Sequence, residues 1–207
     1  SGEFIGWDDP RTWSIQSLKR RGITVKAIRE FVEEIGLNKQ DISIPIDILY
    51  SINRKIIDPI ANRYSFVKNP VGLNILKKPK MEKIEMLIHP DKAETKEIKI
   101  GKIFISDDDF KKLKNKEIRL LHLYNIQLGE KVKFTSEENK EIPKINWVSD
   151  GEKTRILMPD GKWVEGLAEK AVESIDEGEM IQFERNFFCR FDKVEKDMTY
   201  EFWFSHR

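Results

Sequence analysis

Apolar residues recur at three- and four-residue intervals up to about residue 60. Beyond Tyr64 they come instead in short β-branched and aromatic runs divided by Gly, Pro, Asn and Asp. The first spacing lays an apolar stripe along a helix, whereas the second sends alternate side chains to opposite faces of a strand. A chain that changes period in this way must build helices first and sheets after. Three helices are expected. One runs from Ser14 to Arg21 and stops at Gly22. A second takes Thr24 as N-cap, carries Ile28, Phe31, Val32 and Ile35 on one face, and ends at Gly36. A third starts near Pro45, turns Ile48, Leu49, Ile52 and Ile56 inward, and breaks at Asp58-Pro59, where proline can only open a new turn.

Ten strands are then expected, at 72–76, 83–88, 97–105, 117–121, 131–135, 145–148, 155–158, 180–183, 187–192 and 200–204, with one helix at about Leu167 to Glu173. Short strands without long intervening helices point to small antiparallel barrels, which close on themselves and so remove their edges. The fold class is therefore α+β. A chain of 207 residues can hold more than one such unit.

Composition narrows the function. Charged residues at 35% against 39% hydrophobic describe a soluble globular chain, and no apolar run approaches the ~20 residues of a membrane helix. The start Ser1-Gly2-Glu3-Phe4 lacks the pattern of a signal peptide, so a cytoplasmic location is expected. With 37 basic against 36 acidic residues, binding to a polyanion has to be local, through one basic face. The abundance of Lys, Glu and Ile suits the ion-rich surfaces common in heat-loving organisms.

Chemistry-bearing motifs are scarce. The single Cys189 excludes a disulfide framework and a Cys-cluster zinc site, and reads as a buried strand residue. His89, His122 and His206 are scattered without ligand or dyad spacing. No P-loop or Gly-x-Gly-x-x-Gly occurs. Asp107-Asp108-Asp109 could hold a cation, but three successive acids point in different directions, and Ser106 ahead of them favours a turn or helix cap. No cofactor and no metal is expected in this segment.

Short strings nevertheless occur in a recognisable order. They are Gly6-Trp7-Asp8-Asp9-Pro10-Arg11, Leu18 through Thr24 with Ile28-Arg29-Glu30-Phe31, Asn53-Arg54-Lys55, and Ala61-Asn62-Arg63 with Asn69-Pro70-Val71. Then follow Leu87-Ile88-His89-Pro90, Glu117-Ile118-Arg119-Leu120, Asn146-Trp147-Val148 and Gln182-Phe183-Glu184-Arg185. Together they resemble the class I glutamyl/glutaminyl-tRNA synthetase family over nearly the whole chain. The likeness is to the glutamyl type of the archaeal/eukaryotic branch, beyond its Lys-Met-Ser-Lys-Ser loop. It implies a helical connecting module at about 1–63, a proximal β-barrel at 64–105 plus 175–207, and a distal β-barrel at 106–174.

The resemblance also implies roles. Arg63, helped by Gln182, corresponds to the arginine that meets the middle anticodon base. Arg119 corresponds to the arginine near the first base, and the third-base reader falls at Lys111 or Lys112. An arginine fork or an amide suits the exposed Watson–Crick edge of an unstacked base. Lys19, Arg20 and Arg21 read either as a solvated helix end or as contacts to stem phosphates. Trp7 and Trp147 read as core or barrel-wall residues, and Asp8, Asp9 and Arg11 as the ties of a turn. The implied partners are tRNA(Glu), with tRNA(Gln) as a second candidate, and the chain's own catalytic domain. ATP and magnesium belong to that domain, so the segment alone is expected to be inactive. A glutaminyl-type segment and a protein-docking module of the translation machinery are the competing readings.

Overall fold

The computed structural model describes residues 4–36 and 43–207. Helix α1 (Ile15–Arg20) is capped by Ser14, whose hydroxyl accepts the Ser17 amide at 3.0 Å. Thr24 caps α2 (Val25–Ile35) in the same way through the Ala27 amide at 3.1 Å, and Gly36 ends it at φ 67°. Helix α3 (Asp47–Ile57) stops before Pro59. Leu18, Ile23, Ala27, Leu49 and Ile52 form the core of the three, with Ile28, Phe31, Ile48 and Ile56 packed against it. Val32 is a correction. The core takes the stripe through Ala27 and Phe31, and Val32 lies beyond it, 54% exposed.

The rest is mostly sheet, and its largest element is nearly closed. Its seven strands run in the order β1 (Asn62–Tyr64), β15 (Met180–Phe183), β16 (Phe187–Val194), β17 (Tyr200–His206), β13 (Glu152–Leu157), β14 (Trp163–Ala168) and β2 (Phe66–Lys68). The two edge strands, β1 and β2, are separated only by Ser65, so the chain itself joins the sheet's ends. Glu169 pins that corner: its carboxylate accepts the Ser65 amide at 2.9 Å and its own amide donates to the Ser65 carbonyl at 3.1 Å. Phe66, Phe183, Phe191 and Phe202 fill the interior together with the buried Cys189, whose thiol is pushed well up by desolvation.

A second core gathers the strands between Pro70 and Ser149. It includes a five-stranded sheet, β11 (Lys144–Ile145), β8 (Glu117–Leu120), β9 (Asn125–Gln127), β10 (Val132–Ser136) and β4 (Ile75–Leu76). Around it lie a three-stranded sheet, β12 (Val148–Ser149), β7 (Ile103–Ser106) and β3 (Pro70–Leu73), and the hairpin β5 (Lys83–Leu87) with β6 (Thr95–Lys99). Leu73, Met86, Ile98, Ile105, Ile118, Leu120, Ile126 and Trp147 belong to this one core. Strands β3 to β7, expected with the first barrel, thus pack with β8 to β12. Strands β13 and β14, expected within 106–174, pair instead with β17 and β2.

Two local expectations change. The run 97–105 divides into β6 and β7 around Gly101. The helix expected from Leu167 is strand β14 through Ala168, and only Lys170–Ser174 coils, as a 3-10 turn. Gly166 explains this: a Cβ there would lie 2.2 Å from the Val67 carbonyl oxygen, an approach that glycine allows and that locks β14 onto β2.

Candidate nucleic-acid interface

Strands β1 and β15 run parallel with Arg63 directly opposite Gln182, flanked by the pairs Asn62 with Ile181 and Tyr64 with Phe183. Tyr64, Ile181 and Phe183 point into the core, so alternation sends Arg63 and Gln182 out together. Residues 119 positions apart in sequence become neighbours through one parallel pairing. Arg63 is half-buried, with Nη2 3.6 Å from Asp58 Oδ1. Its Nε is buried and has no hydrogen-bond partner among the described residues. The Gln182 amide likewise has none among them.

Arg63 opens onto a cleft of about 240 Å³ whose walls are Glu85, Met86, Leu87, Pro90, His122 and Glu184. One side is thus apolar and the other charged. Glu184 sits in the turn between β15 and β16, and three bonds fix it: its amide donates to Tyr64 O at 2.9 Å, its carbonyl accepts Asn146 Nδ2 at 2.6 Å, and its Oε1 lies 3.4 Å from His122 Nε2. The His122 contact, helped by the charges of Lys96 and Arg63, holds the Glu184 carboxyl below the usual carboxylate range despite its desolvation. Lys96 reaches from β6 to the Arg63 carbonyl and ion-pairs with buried Glu169. Sequence reasoning missed His122, Glu184 and Lys96 as site residues. His122 and Lys96 belong to strands or turns far from Arg63 in sequence, and only Glu184 stood in a matched string.

Arg119 is spent internally. Its Nη1 donates to Asn125 Oδ1 and to the carbonyls of Glu137 and Glu138, each at 3.0 Å, and its Nη2 to the Leu123 carbonyl at 3.2 Å. Lys111 and Lys112 lie exposed in the last turn of α4 (Asp107–Lys112) and do not line the Arg63 cleft; Lys111 pairs with Asp107. Asp107, Asp108 and Asp109 form the first turn of that helix, with Ser106 as its cap, as the cap reading expected. Among the described residues no three His, Cys, Asp or Glu side chains gather as a metal site.

The basic run at α1 divides. Lys19 is exposed and lines a cleft with Trp7, Gln16 and Arg190. Arg20 grips Asp192 at 3.1 and 2.8 Å and Asp8 at 2.5 Å, and lies 4.0 Å over the Trp203 ring; these carboxylates raise its pKa further. Arg21 is fully buried, donating to Phe204 O at 3.1 Å, Ser205 O at 3.0 Å and the Tyr50 hydroxyl at 2.7 Å. The expectation of phosphate contacts is therefore corrected at Arg21, which has no exposed surface, because the guanidinium is the strut between α3 and β17. Asp9 and Arg11 tie their turn as expected. Trp147 is core, its Nε1 donating to Leu121 O at 2.8 Å. Trp7 is not core: it is 82% exposed.

No helix among the described residues is long and apolar enough to cross a membrane. Sequence models of the anticodon-binding domains of class I tRNA synthetases (E and Q) match residues 61–148 and 130–192. The glutamate–tRNA ligases of Pyrococcus furiosus and Pyrococcus abyssi are 40% and 41% identical to the chain over 95% and 94% of its length. That of Methanosarcina mazei is 37% identical over 100%. The chain spans only 37–38% of the length of these curated relatives. By these matches the chain belongs to the glutamyl and glutaminyl family of class I tRNA synthetases, its residues 61–192 matching the anticodon-binding domains.

Proposed function

We propose that this chain is the tRNA-binding part of a glutamate–tRNA ligase, an enzyme that attaches glutamate to tRNA using ATP and magnesium in a catalytic domain outside this segment. In that reading a helical connecting module leads into two small β-barrels, whose sheets are mixed and not antiparallel as expected because β1 runs parallel to β15, β13 to β17, β10 to β4 and β11 to β8, and the protein works in the cytoplasm on tRNA(Glu), with tRNA(Gln) as the second candidate. The observation that carries it is the pairing of Arg63 with Gln182 on the outward face of β1 and β15, where Arg63 lines a base-sized cleft. Arg63 and Gln182 read the middle anticodon base. Lys111 or Lys112 serves the third, Arg119 acts near the first, and exposed Lys19 meets a stem phosphate. The exposed Trp7, Trp13 and Ile15 support a seat for the chain's own catalytic domain on the α1 side.

The test is Arg63→Ala, with folding checked by thermal melting. Loss of a directional, charge-assisted contact should cost about 1–3 kcal/mol toward cognate tRNA and relax discrimination at the middle base. Equal weakening toward every anticodon would make Arg63 a phosphate anchor and defeat the assignment.

A further inference from the structure

Resting on the reading of Arg63 as a base reader, we infer that Arg119 and His122 are positioning residues that hold the Glu184 carboxylate away from Arg63, so that its guanidinium, with Nη2 3.6 Å from Asp58 Oδ1, keeps donors for the base. Three observations carry it. His122 occupies the turn between β8 and β9 in left-handed backbone, φ 60°, and reaches out of the second core to Glu184 of the seven-stranded sheet. That turn is braced from beneath: Arg119 Nη2 holds the Leu123 carbonyl, Trp147 Nε1 the Leu121 carbonyl, and the Leu123 amide closes on Leu120 O at 2.9 Å. Arg119 thus reaches the cleft through the residue it braces, not through its own side chain.

The third observation is the charge inventory of the cleft. Arg63, His122, Glu85 and Glu184 are its ionisable walls. Lys96, the other cation near Glu184, is held by Glu169 and the Arg63 carbonyl. Without the His122 contact, the basic side chain lining the cleft that can pair with the Glu184 carboxylate is Arg63. A carboxylate accepts an arginine fork bidentately, so the pair that formed would consume the donors that face the base. The imidazole prevents that capture by occupying the carboxylate first.

The experiment measures binding of this chain to anticodon stem-loop RNAs with the glutamate anticodon, with a changed middle base and, separately, with a changed first base. His122→Asn removes the imidazole while tolerating the left-handed turn. It is expected to reduce middle-base discrimination by about tenfold, within the range for coupled neighbours. Glu184→Gln in the same chain should restore it, since a neutral amide does not capture Arg63. Arg119→Met should lower the same discrimination, and the double variant with His122→Asn should fall no further. Unchanged discrimination in His122→Asn, no rescue by Glu184→Gln, or multiplying losses in the double variant would each overturn the inference; multiplying losses confined to the first base would make Arg119 a direct reader. If Arg63→Ala itself leaves discrimination intact, the base-reading assignment falls and this inference with it.

Discussion

Lowering the pH from 7 to 5 should loosen the joint between the helices and the seven-stranded sheet through one residue, His206. Its ring is fully buried, stacked 5.7 Å from Tyr50 and tilted against Phe188 at 5.1 Å. Asn53 fixes its proton: Asn53 Oδ1 accepts the Thr24 amide at 2.9 Å, so its Nδ2 faces His206 Nε2 at 3.1 Å and must donate. The imidazole is then neutral, accepting at Nε2 and donating from Nδ1 to the Arg207 carbonyl at 3.2 Å. Protonation would set a second donor against Asn53. Desolvation, with smaller contributions from the charges of Arg54 and Arg21 and against the pull of the Arg207 carbonyl, lowers the His206 pKa from 6.5 to about 4. Between those values the unfolded chain binds more protons than the folded one, so stability is complete above the unfolded pKa and is lost as pH falls toward the folded one.

At roughly 1.4 kcal/mol per pKa unit, the loss is roughly 2 kcal/mol at about pH 5 and roughly 3 kcal/mol at about pH 4. For a chain of this size 2 kcal/mol corresponds to roughly 4–8 °C in Tm. Because carboxylates titrate in the same window, the assay compares thermal melts of the parent with those of His206→Gln, whose Oε1 can accept from Asn53 in the place of Nε2 without titrating. The Tm of the parent should fall more steeply between pH 7 and 5, by about the stated amount. Parallel curves for the two proteins would refute the assignment of a buried neutral imidazole to this joint.

Arg21→Met should cost about 2–4 kcal/mol in urea unfolding, because it strips the donors from two buried carbonyls and the Tyr50 hydroxyl; a change under about 0.5 kcal/mol, typical of a surface site, would contradict its role as a strut. Gly166→Ala puts a methyl 2.2 Å from the Val67 carbonyl and should destabilise by roughly 2–3 kcal/mol or displace β2, visible as faster amide exchange of Val67 and Leu167. Binding of tRNA should fall steeply with salt as phosphate contacts release counterions; affinity unchanged between about 50 and 200 mM would favour a protein-docking role instead.

Local rules made much of the chain legible. Ser14, Thr24 and Gly36 mark the helix ends because capping depends on neighbouring backbone amides alone; at Ser106 the sequence left turn and cap open, and the structure makes it the cap of α4. The strings around Arg63 and Gln182 singled out both residues as candidates, and the parallel pairing of β1 with β15 sets them side by side. Alternation across Gln182 and Phe183 established that one face is core without saying which. Pairing was illegible, because a strand's sequence fixes its own faces and not its partner: the parallel ladder of β13 on β17 regrouped strands expected elsewhere, and β1, β2, β9 and β14 were too short or too mixed to register.

Charge shows the same division. Lys19, Arg20 and Arg21 are equivalent in sequence, a basic helix end, yet one is exposed, one is bound to Asp192 and one is buried beneath β17. Trp7 and Trp147 are equally apolar, and only the second found a core. The sequence by itself determined most element types, the helix ends and the family, since these depend on neighbours along the chain. The tertiary structure decided which cations remain free and which residues line the cleft around Arg63, since burial and a carboxylate's choice of partner depend on groups brought together from Pro90, His122 and Glu184 only when the sheets assemble.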